Sequence, residues 1–526
     1  MKKEARVILF FSLAVFLMAF LVSGRFWFRI DMTRDRAFTI SEISEKIFLE
    51  IDNLVTVTYF VSSRLARSHT IPGEIAEFLS EYSKKSNGRV RYIQRDPAQS
   101  ALGRAAEELG ILPWQIQLYE ANEISHTTVY SGILIEYLNS EEVIPIVFST
   151  ETLEYDLGSR ILSLIRNTNR ELGILIGSSN LDFETDFSLL NYALLLSGYM
   201  PFLIERGSWI PSSLPAVFVL GGEEDLDIFD LLLINDYVRT GGNVFFALNG
   251  VNVDVWGNLE ARSVVDSGLL AMLAGYGIAV NRNLVMDRAS LTLTFQTQDL
   301  SGSRTESLRY PPWIAVQEQS LNQNHPVTRG ALGPDLYWPS SLELFPPSGV
   351  RGEILFTSSE EAWLQTNNFF TNPNHISEFE NERSSTGGRR ILAASLEGIM
   401  PVNLFSGQYL LSDLPPSQIN RVSRIIVIGD VNFAGSLMQT SRSEDRNLEF
   451  LVRSAAWLFN EEDLLPLRTR GQTGGRLDRI IDTELRNLYM SFSRILNTFI
   501  IPVFVIIFGF IVYHYRRKIS GRRNVD

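Results

Sequence analysis

The chain has 526 residues, a formal net charge of −13, 45% apolar residues and no cysteine. The missing cysteine excludes disulfides, thiolate metal sites, Cys nucleophiles and lipoprotein acylation, and the five histidines (His69, His126, His325, His375, His514) form no i,i+4 pair that would support a His-based metal site. The acidic balance argues against a nucleic-acid partner, whose phosphates need the opposite sign.

At the start, Lys2, Lys3 and Arg6 precede an apolar run over residues 7–22, followed by Ser23 and Gly24. This is a signal anchor or a cleavable signal peptide. The run is slightly long for a signal peptide, which favours an N-terminal transmembrane anchor over residues 1–24. Residues 25–150 follow as the first α/β unit. Thr39 or Ser41 caps a helix that carries Ile43, Ile47 and Ile51 on one side. A β-branched run at 55–61 predicts a strand, 75–82 an amphipathic helix, and 89–94 a second strand ending at Asp96-Pro97. A helix at 101–109 and paired strands at 132–137 and 143–148 complete a βαβα-plus-hairpin pattern, thioredoxin-like in outline. No Cys-x-x-Cys is present to give it redox chemistry.

A linking helix at 153–165 opens the second unit, 151–465. Strand 172–177, helix 187–197, strand 202–205 and the continuous apolar strand 216–220 ending at Gly221-Gly222 read as a parallel sheet covered on both faces. The amphipathic segment 226–239 stops at Gly241-Gly242 and feeds strand 244–248. This is the doubly wound pattern, and its last strand–helix unit is expected at 424–430 and 448–460. Between them, residues 289–415 are rich in Pro, Ser and Asn, with short β-like runs at 354–357 and 391–396, and read as a large, partly irregular insertion. A flexible linker from Arg468 to Gly475 and a stalk helix with Ile480, Ile481, Leu485, Leu488 and Phe492 at helical spacing fill residues 466–494. Residues 495–513 carry no ionisable side chain other than Tyr513. About 20 apolar residues span a bilayer, so 495–515 is read as a C-terminal transmembrane helix. Arg516, Arg517 and Lys518 in the tail 516–526 belong on the cytoplasmic side. Two spans then put both termini in the cytoplasm and the acidic body outside it. The expected fold class is thus α/β: a thioredoxin-like unit and a doubly wound domain, flanked by two transmembrane helices.

Nucleotide motifs are missing. No Gly-x-x-x-x-Gly-Lys-Ser/Thr occurs, no Gly-x-Gly-x-x-Gly follows either central strand, and no Gly-x-Ser-x-Gly elbow is present. The chain is therefore not itself a P-loop ATPase, and no cofactor is expected. Open α/β sheets bind ligands beyond the carboxyl ends of their strands. Glu223, Glu224 and Asp225 after the first Gly pair, and Asp430 with Asn432 after the last strand, are the candidate ligand-binding residues on that rule. A turn and helix start, with carboxylates favoured by the helix dipole, accounts equally for the first group. Trp313, Trp338 and Trp363 in the insertion are either core residues or a stacking surface for sugars or a partner.

Several stretches taken together resemble one family: Asp31-Met32-Thr33 to Phe38-Thr39-Ile40-Ser41, Asp96-Pro97, Tyr130-Ser131-Gly132, Leu153-Glu154-Tyr155, Tyr237 to Gly242, Asn324-His325-Pro326-Val327-Thr328, Phe356-Thr357-Ser358-Ser359 and Ile428-Gly429-Asp430-Val431-Asn432-Phe433. Their order, between two apolar segments, resembles the GldG-like auxiliary subunits of ABC transporters. The resemblance implies an extracytoplasmic α/β body related to class I amidotransferase folds, working with a separate multispan permease and a cytoplasmic ATPase. It supplies no catalytic residue, and the amidotransferase nucleophile, a Cys, is missing. The expectation is a non-catalytic, membrane-anchored auxiliary subunit in envelope transport or gliding motility. The alternative is an extracytoplasmic protein or enzyme acting on glycan or other envelope polymer.

Overall fold

The computed structural model describes residues 39–97, 102–120, 123–299, 302–374, 379, 386–401, 420–470, 503 and 507–509. Nearly all belong to one compact unit, Phe38–Gly471; the other unit is Met1–Ala37 with Gln472–Asp526. The N-terminal apolar run, the stalk, most of the C-terminal apolar stretch and the basic residues Lys2, Lys3, Arg6, Arg516, Arg517 and Lys518 lie outside the described residues. Among the described residues no helix is long and apolar enough to cross a membrane.

The first half of the unit runs α1 (Glu42–Glu50), β1 (Val55–Val61), α2 (Ser63–Ser68), α3 (Ile71–Lys85), β2 (Val90–Arg95), α4 (Leu102–Glu108), β3 (Pro113–Glu120), β4 (Glu123–Tyr137) and β5 (Ser140–Ile144). Ser41 caps α1, its side chain accepting the Ser44 amide at 3.1 Å. The sheet has the order β2-β1-β4-β3, with β5 also on β4. β1 and β2 are parallel, β1 and β4 antiparallel, and β4 and β5 form the expected hairpin, Ile133 opposite Ile144. Both strands differ from their apolar pattern: β4 starts at Glu123 rather than at 132, and β5 runs from Ser140 to Ile144 rather than over 143–148. The outer half of β4 pairs with β3, a strand absent from the sequence reading.

α5 (Leu153–Arg166) leads into β6 (Glu171–Ile176), α6 (Ser188–Leu196), β7 (Met200–Ile204), β8 (Ala216–Leu220), α7 (Ile228–Arg239), β9 (Asn243–Ala247) and the small hairpin β10 (Val251–Val253) and β11 (Ala261–Ser263). α7 begins with a capping box between Asp227 and Asp230, which satisfies orphan amides reciprocally. After α8 (Gly268–Tyr276) come β12 (Ile278–Val280), β13 (Leu284–Met286), β14 (Ser290–Asp299), β15 (Gly302–Ala315), β16 (Asp335–Tyr337), β17 (Leu342–Leu344), β18 (Val350–Thr357), β19 (Trp363–Gln365) and β20 (Ile391–Gly398). β21 (Ser423–Ile428), α9 (Leu437–Ser441), α10 (Glu444–Leu458) and α11 (Leu465–Arg470) end the unit.

The large sheet has the order β12-β17-β20-β21-β9-β8-β6-β7, with β18 also on β20. From β21 to β7 all neighbours are parallel. The expected last strand–helix unit is therefore present as β21 and α10. Apolar side chains of β6, β8, β9 and β21 alternate between two core clusters. One gathers residues of α6, α10 and the insertion; the other gathers residues of α7 and α8. A sheet buried on both faces explains why these strands are continuously apolar. The insertion is more ordered than its composition suggested: β17, β18 and β20 extend the main sheet antiparallel. The segment read as a linker from Arg468 also differs. Helix α11 reaches Arg470, and Arg468 is buried with both Nε and Nη2 on Glu449, at 3.1 and 2.6 Å.

Candidate functional site

The chain leaves β6 towards β7 on one side and reaches β8 on the other, so the strand order reverses between β6 and β8. At such a reversal the loops beyond the carboxyl ends diverge and leave a crevice. A cavity of about 670 Å³ lies here, its wall including Ser178, Asn180, Glu223, Asn249, Trp256 and Asn432. Its floor depends on close backbone approach. A Cβ on Gly177 would stand 2.4 Å from the Gly221 carbonyl oxygen, and Gly221 and Gly222 adopt φ of +69° and +102°. Ser178 Oγ accepts the Gly222 amide at 2.9 Å, joining the two loops.

Glu223 is buried in the wall and accepts a hydrogen bond from the Asn249 amide. Burial raises its carboxyl to about 7, and the neighbouring Glu224 adds to the rise. Glu224 lines the same cavity. It takes Arg262 in an ion pair at 2.8 Å, the Val265 amide at 3.1 Å and Asn252 Nδ2 at 3.3 Å. Asn252 and Arg262 stand opposite each other on β10 and β11, so this carboxylate bolts the hairpin to the rim. Asp225 accepts the Ser179 amide at 2.7 Å and its hydroxyl at 3.0 Å. The Ser179 amide holds that carboxyl below the usual carboxylate range. None of the three belongs to α7, whose cap is Asp227.

Asp430 and Asn432 separate. Asp430 is fully buried, accepting the Tyr337 amide at 2.6 Å and the Asn432 amide at 2.8 Å. Burial raises its carboxyl to about 7. It pins the loop after β21 to β16 and is absent from the cavity wall, whereas Asn432 lines it. Asn249 connects the two predicted groups: its amide goes to Glu223, and its Oδ1 accepts the Val431 amide at 3.0 Å. Sequence reasoning missed Asn249 because its partners lie far from it along the chain.

The insertion tryptophans are core residues. Trp313, Trp338 and Trp363 are all buried. Trp338 Nε1 donates to Tyr310 Oη at 3.0 Å and Trp363 Nε1 to the Phe379 carbonyl at 2.6 Å. The aromatic residue at the crevice is Trp256, 78% exposed in the β10–β11 connection. Its sequence signal was its setting between Asp254 and Gly257-Asn258, a turn rather than an apolar run. Among the described residues no group of His, Asp and Glu could hold a metal ion.

Residues 169–460 match the family described as ABC-type uncharacterized transport system, and residues 34–136 match a domain of unknown function. The two matches fall on the second and first halves of the compact unit respectively. An uncharacterized protein of Borreliella burgdorferi is 26% identical over 509 residues, covering 93% of this chain and 94% of that protein. A solved putative ThuA-like protein from Parabacteroides merdae covers 56% of this chain and 90% of its own, at 11% identity and a TM-score of 0.27. An exo-β-1,4-mannosidase from Opitutaceae bacterium strain TAV5 covers 75% and 50% at 10% identity and a TM-score of 0.24. Likenesses that weak bear on neither fold nor function. More than half of the chain lies inside the transport-system match, and it belongs to that family, as an auxiliary component of an ABC-type transport system.

Proposed function

We propose that the protein is a GldG-like, non-catalytic, membrane-anchored auxiliary subunit whose body works outside the cytoplasm. It acts beside a separate multispan permease and a cytoplasmic ATPase, in envelope transport or gliding motility. The observation that carries this reading is the family match over residues 169–460. Three features support it: the missing phosphate-binding motif, the two apolar segments, and the basic residues beside them. The sheet order β2-β1-β4-β5 supports a thioredoxin-like first half, and the parallel run β21-β9-β8-β6-β7 an amidotransferase-like second half. Every carboxylate named as a candidate, in the crevice or, as Asp430, behind it, is committed to a partner within the protein. That arrangement suits a scaffold with a binding cleft better than acid–base chemistry, which needs a group free to exchange protons with substrate. Affinity purification of the tagged chain from detergent-solubilised membranes should recover a permease and an ATPase, and protease added to intact cells (outer membrane opened where one exists) should cut the body. A chain purified without either partner, or a body spared by the protease, would overturn the proposal.

A further inference from the structure

We propose that the crevice is a binding site for an uncharged or amino-bearing oligosaccharide, with Trp256 as its stacking platform. The inference stands apart from the transport reading and rests on how the crevice is built. Tryptophan is highly buried on average, and leaving an indole in water forgoes one of the largest apolar burials a side chain offers. Trp256 is nevertheless 78% exposed, on the lip of a cavity of about 670 Å³.

The segment that presents it is fixed at several points. Glu224 clamps both strands of the hairpin through Asn252 and Arg262. Asp254 Oδ1 accepts the Gly257 amide at 3.1 Å, and the Asp254 carbonyl accepts the Leu259 amide at 3.1 Å. The Thr371 hydroxyl donates to the Leu259 carbonyl from the insertion. An aromatic ring held on such a frame loses little freedom on binding, which lowers the cost of association.

The rest of the wall selects the ligand class. The carboxylates on it all have partners: Asp186 takes the Asp182 amide, Glu260 takes Asn258 Nδ2, and Glu223, Glu224, Asp225 and Asp254 are held as described. Neutral groups, Ser178, Asn180, Asn432 and Ser436, line the same cavity. Hydroxyls and amides both donate and accept, which matches a polyhydroxylated ligand, and an indole face packs against the C–H face of a pyranose ring. Among the described residues of the wall, Arg262 is the one Lys or Arg against those six carboxylates, so the local field repels uronic acids, sialic acids and phosphosugars.

The test uses the full chain in a detergent without a sugar headgroup, titrated calorimetrically with malto-, cello-, manno- and chito-oligosaccharides, chitosan oligomers and oligogalacturonate. At least one uncharged or amino series should bind and oligogalacturonate should not. Trp256→Ala should weaken that binding by about tenfold or more, with an unchanged melting temperature because the ring is exposed. Trp209→Ala, which alters another exposed tryptophan (59%) outside the cavity wall, should leave it intact. Failure of every neutral and amino series to bind would overturn the proposal, as would unaltered binding by Trp256→Ala or equal binding of oligogalacturonate. The transport reading would survive any of these results, since recovery of a permease and an ATPase does not depend on the sugar.

Discussion

His325 and Glu223 respond to pH in opposite senses over nearly the same interval. His325 Nδ1 accepts the Val327 amide at 3.3 Å, Nε2 lies 3.3 Å from Ser395 Oγ, and the ring packs on Trp457 at 5.0 Å. Burial, helped by Arg351 and Arg424, lowers its pKa to about 4. Between the ordinary value of 6.5 and about 4, the unfolded chain gains a proton that the folded chain refuses, so stability falls as pH drops through that window. Glu223 is the reverse. Its folded value of about 7 lies above the ordinary 4.5, so its contribution is intact below pH 4.5 and declines as pH rises towards 7. Asp430 acts in the same direction as Glu223. The two trends partly cancel in the wild type, and single substitutions should separate them. Measured by thermal unfolding from pH 4.5 to 8, His325→Gln should lessen the loss on the acid side. Glu223→Gln should lessen the loss on the neutral side. Parallel profiles for wild type and both variants would show that neither group titrates as its burial demands. The same region explains the Asn324–Thr328 pattern structurally. Arg453 of α10 donates Nε to the Val327 carbonyl at 2.6 Å and Nη2 to the Pro326 and Arg329 carbonyls at 3.0 and 2.8 Å. The segment is a clasp between the insertion and α10.

At the scale of elements, α5 packs closely against α1 and α11 through Gly158. A Cβ on Gly158 would lie 2.9 Å from Ile47 Cδ1 of α1 and 3.9 Å from Leu467 Cδ1 of α11. Gly158 is a notch that admits both neighbours. Ala there recovers about 1 kcal/mol of helix propensity and asks only the tip of Ile47 to move, so Gly158→Ala should be close to neutral. Gly158→Leu should cost about 1–3 kcal/mol by overpacking, read as a lowered denaturation midpoint. Equal effects of the two would mean that α1 and α11 do not close on this position. What the sequence disclosed at this scale follows from physics. β8 and β9 are buried along their whole length, and a strand covered on both faces shows as an unbroken apolar run. β3 begins at Pro113, but its Trp114-Gln115-Ile116-Gln117-Leu118 alternates apolar with polar residues, a period-2 strand signal that the sequence reading passed over. β20 was visible as a short apolar run, but its place beside β21 is set by pairing such as Ala393 with Ile428, which no local pattern encodes. The crevice divides in the same way. Its glycine-rich strand ends were legible, while the duties of Glu224 and Asp225 depend on Arg262 of β11 and Ser179 of the loop after β6.

Across the whole compact unit, the two α/β halves are joined by buried charge. Glu154 of α5 accepts the Ser41 amide and the Ser44 hydroxyl, both at 2.7 Å, fastening the start of α1. One helical position on, Arg468 of α11 lies over the Tyr155 ring at 4.8 Å while paired with Glu449 of α10. Arg160 reaches the Val143 carbonyl of the first half and the Leu196 carbonyl of the second, at 3.0 and 2.7 Å. Helix α5 thus ties the halves together, and Ser41 and Arg468, near the two ends of the compact unit, meet it at the adjacent positions Glu154 and Tyr155. The Arg468–Glu449 pair is the part of that junction most open to a quantitative test. Desolvating two charges offsets most of their attraction, so the intact pair adds little net stability, yet removing one partner strands the other in the interior. Arg468→Met should therefore cost about 3–5 kcal/mol. The double variant Glu449→Met/Arg468→Met should recover much of that loss. The recovery stays incomplete, because Glu449 also stands 3.6 Å from Arg453. A thermodynamic cycle of the wild type, both single variants and the double variant measures the coupling directly. Additive losses would mean that α11 docks through apolar contacts alone, those of its Leu467 and of Leu464 just before it, both in the apolar core of the first half.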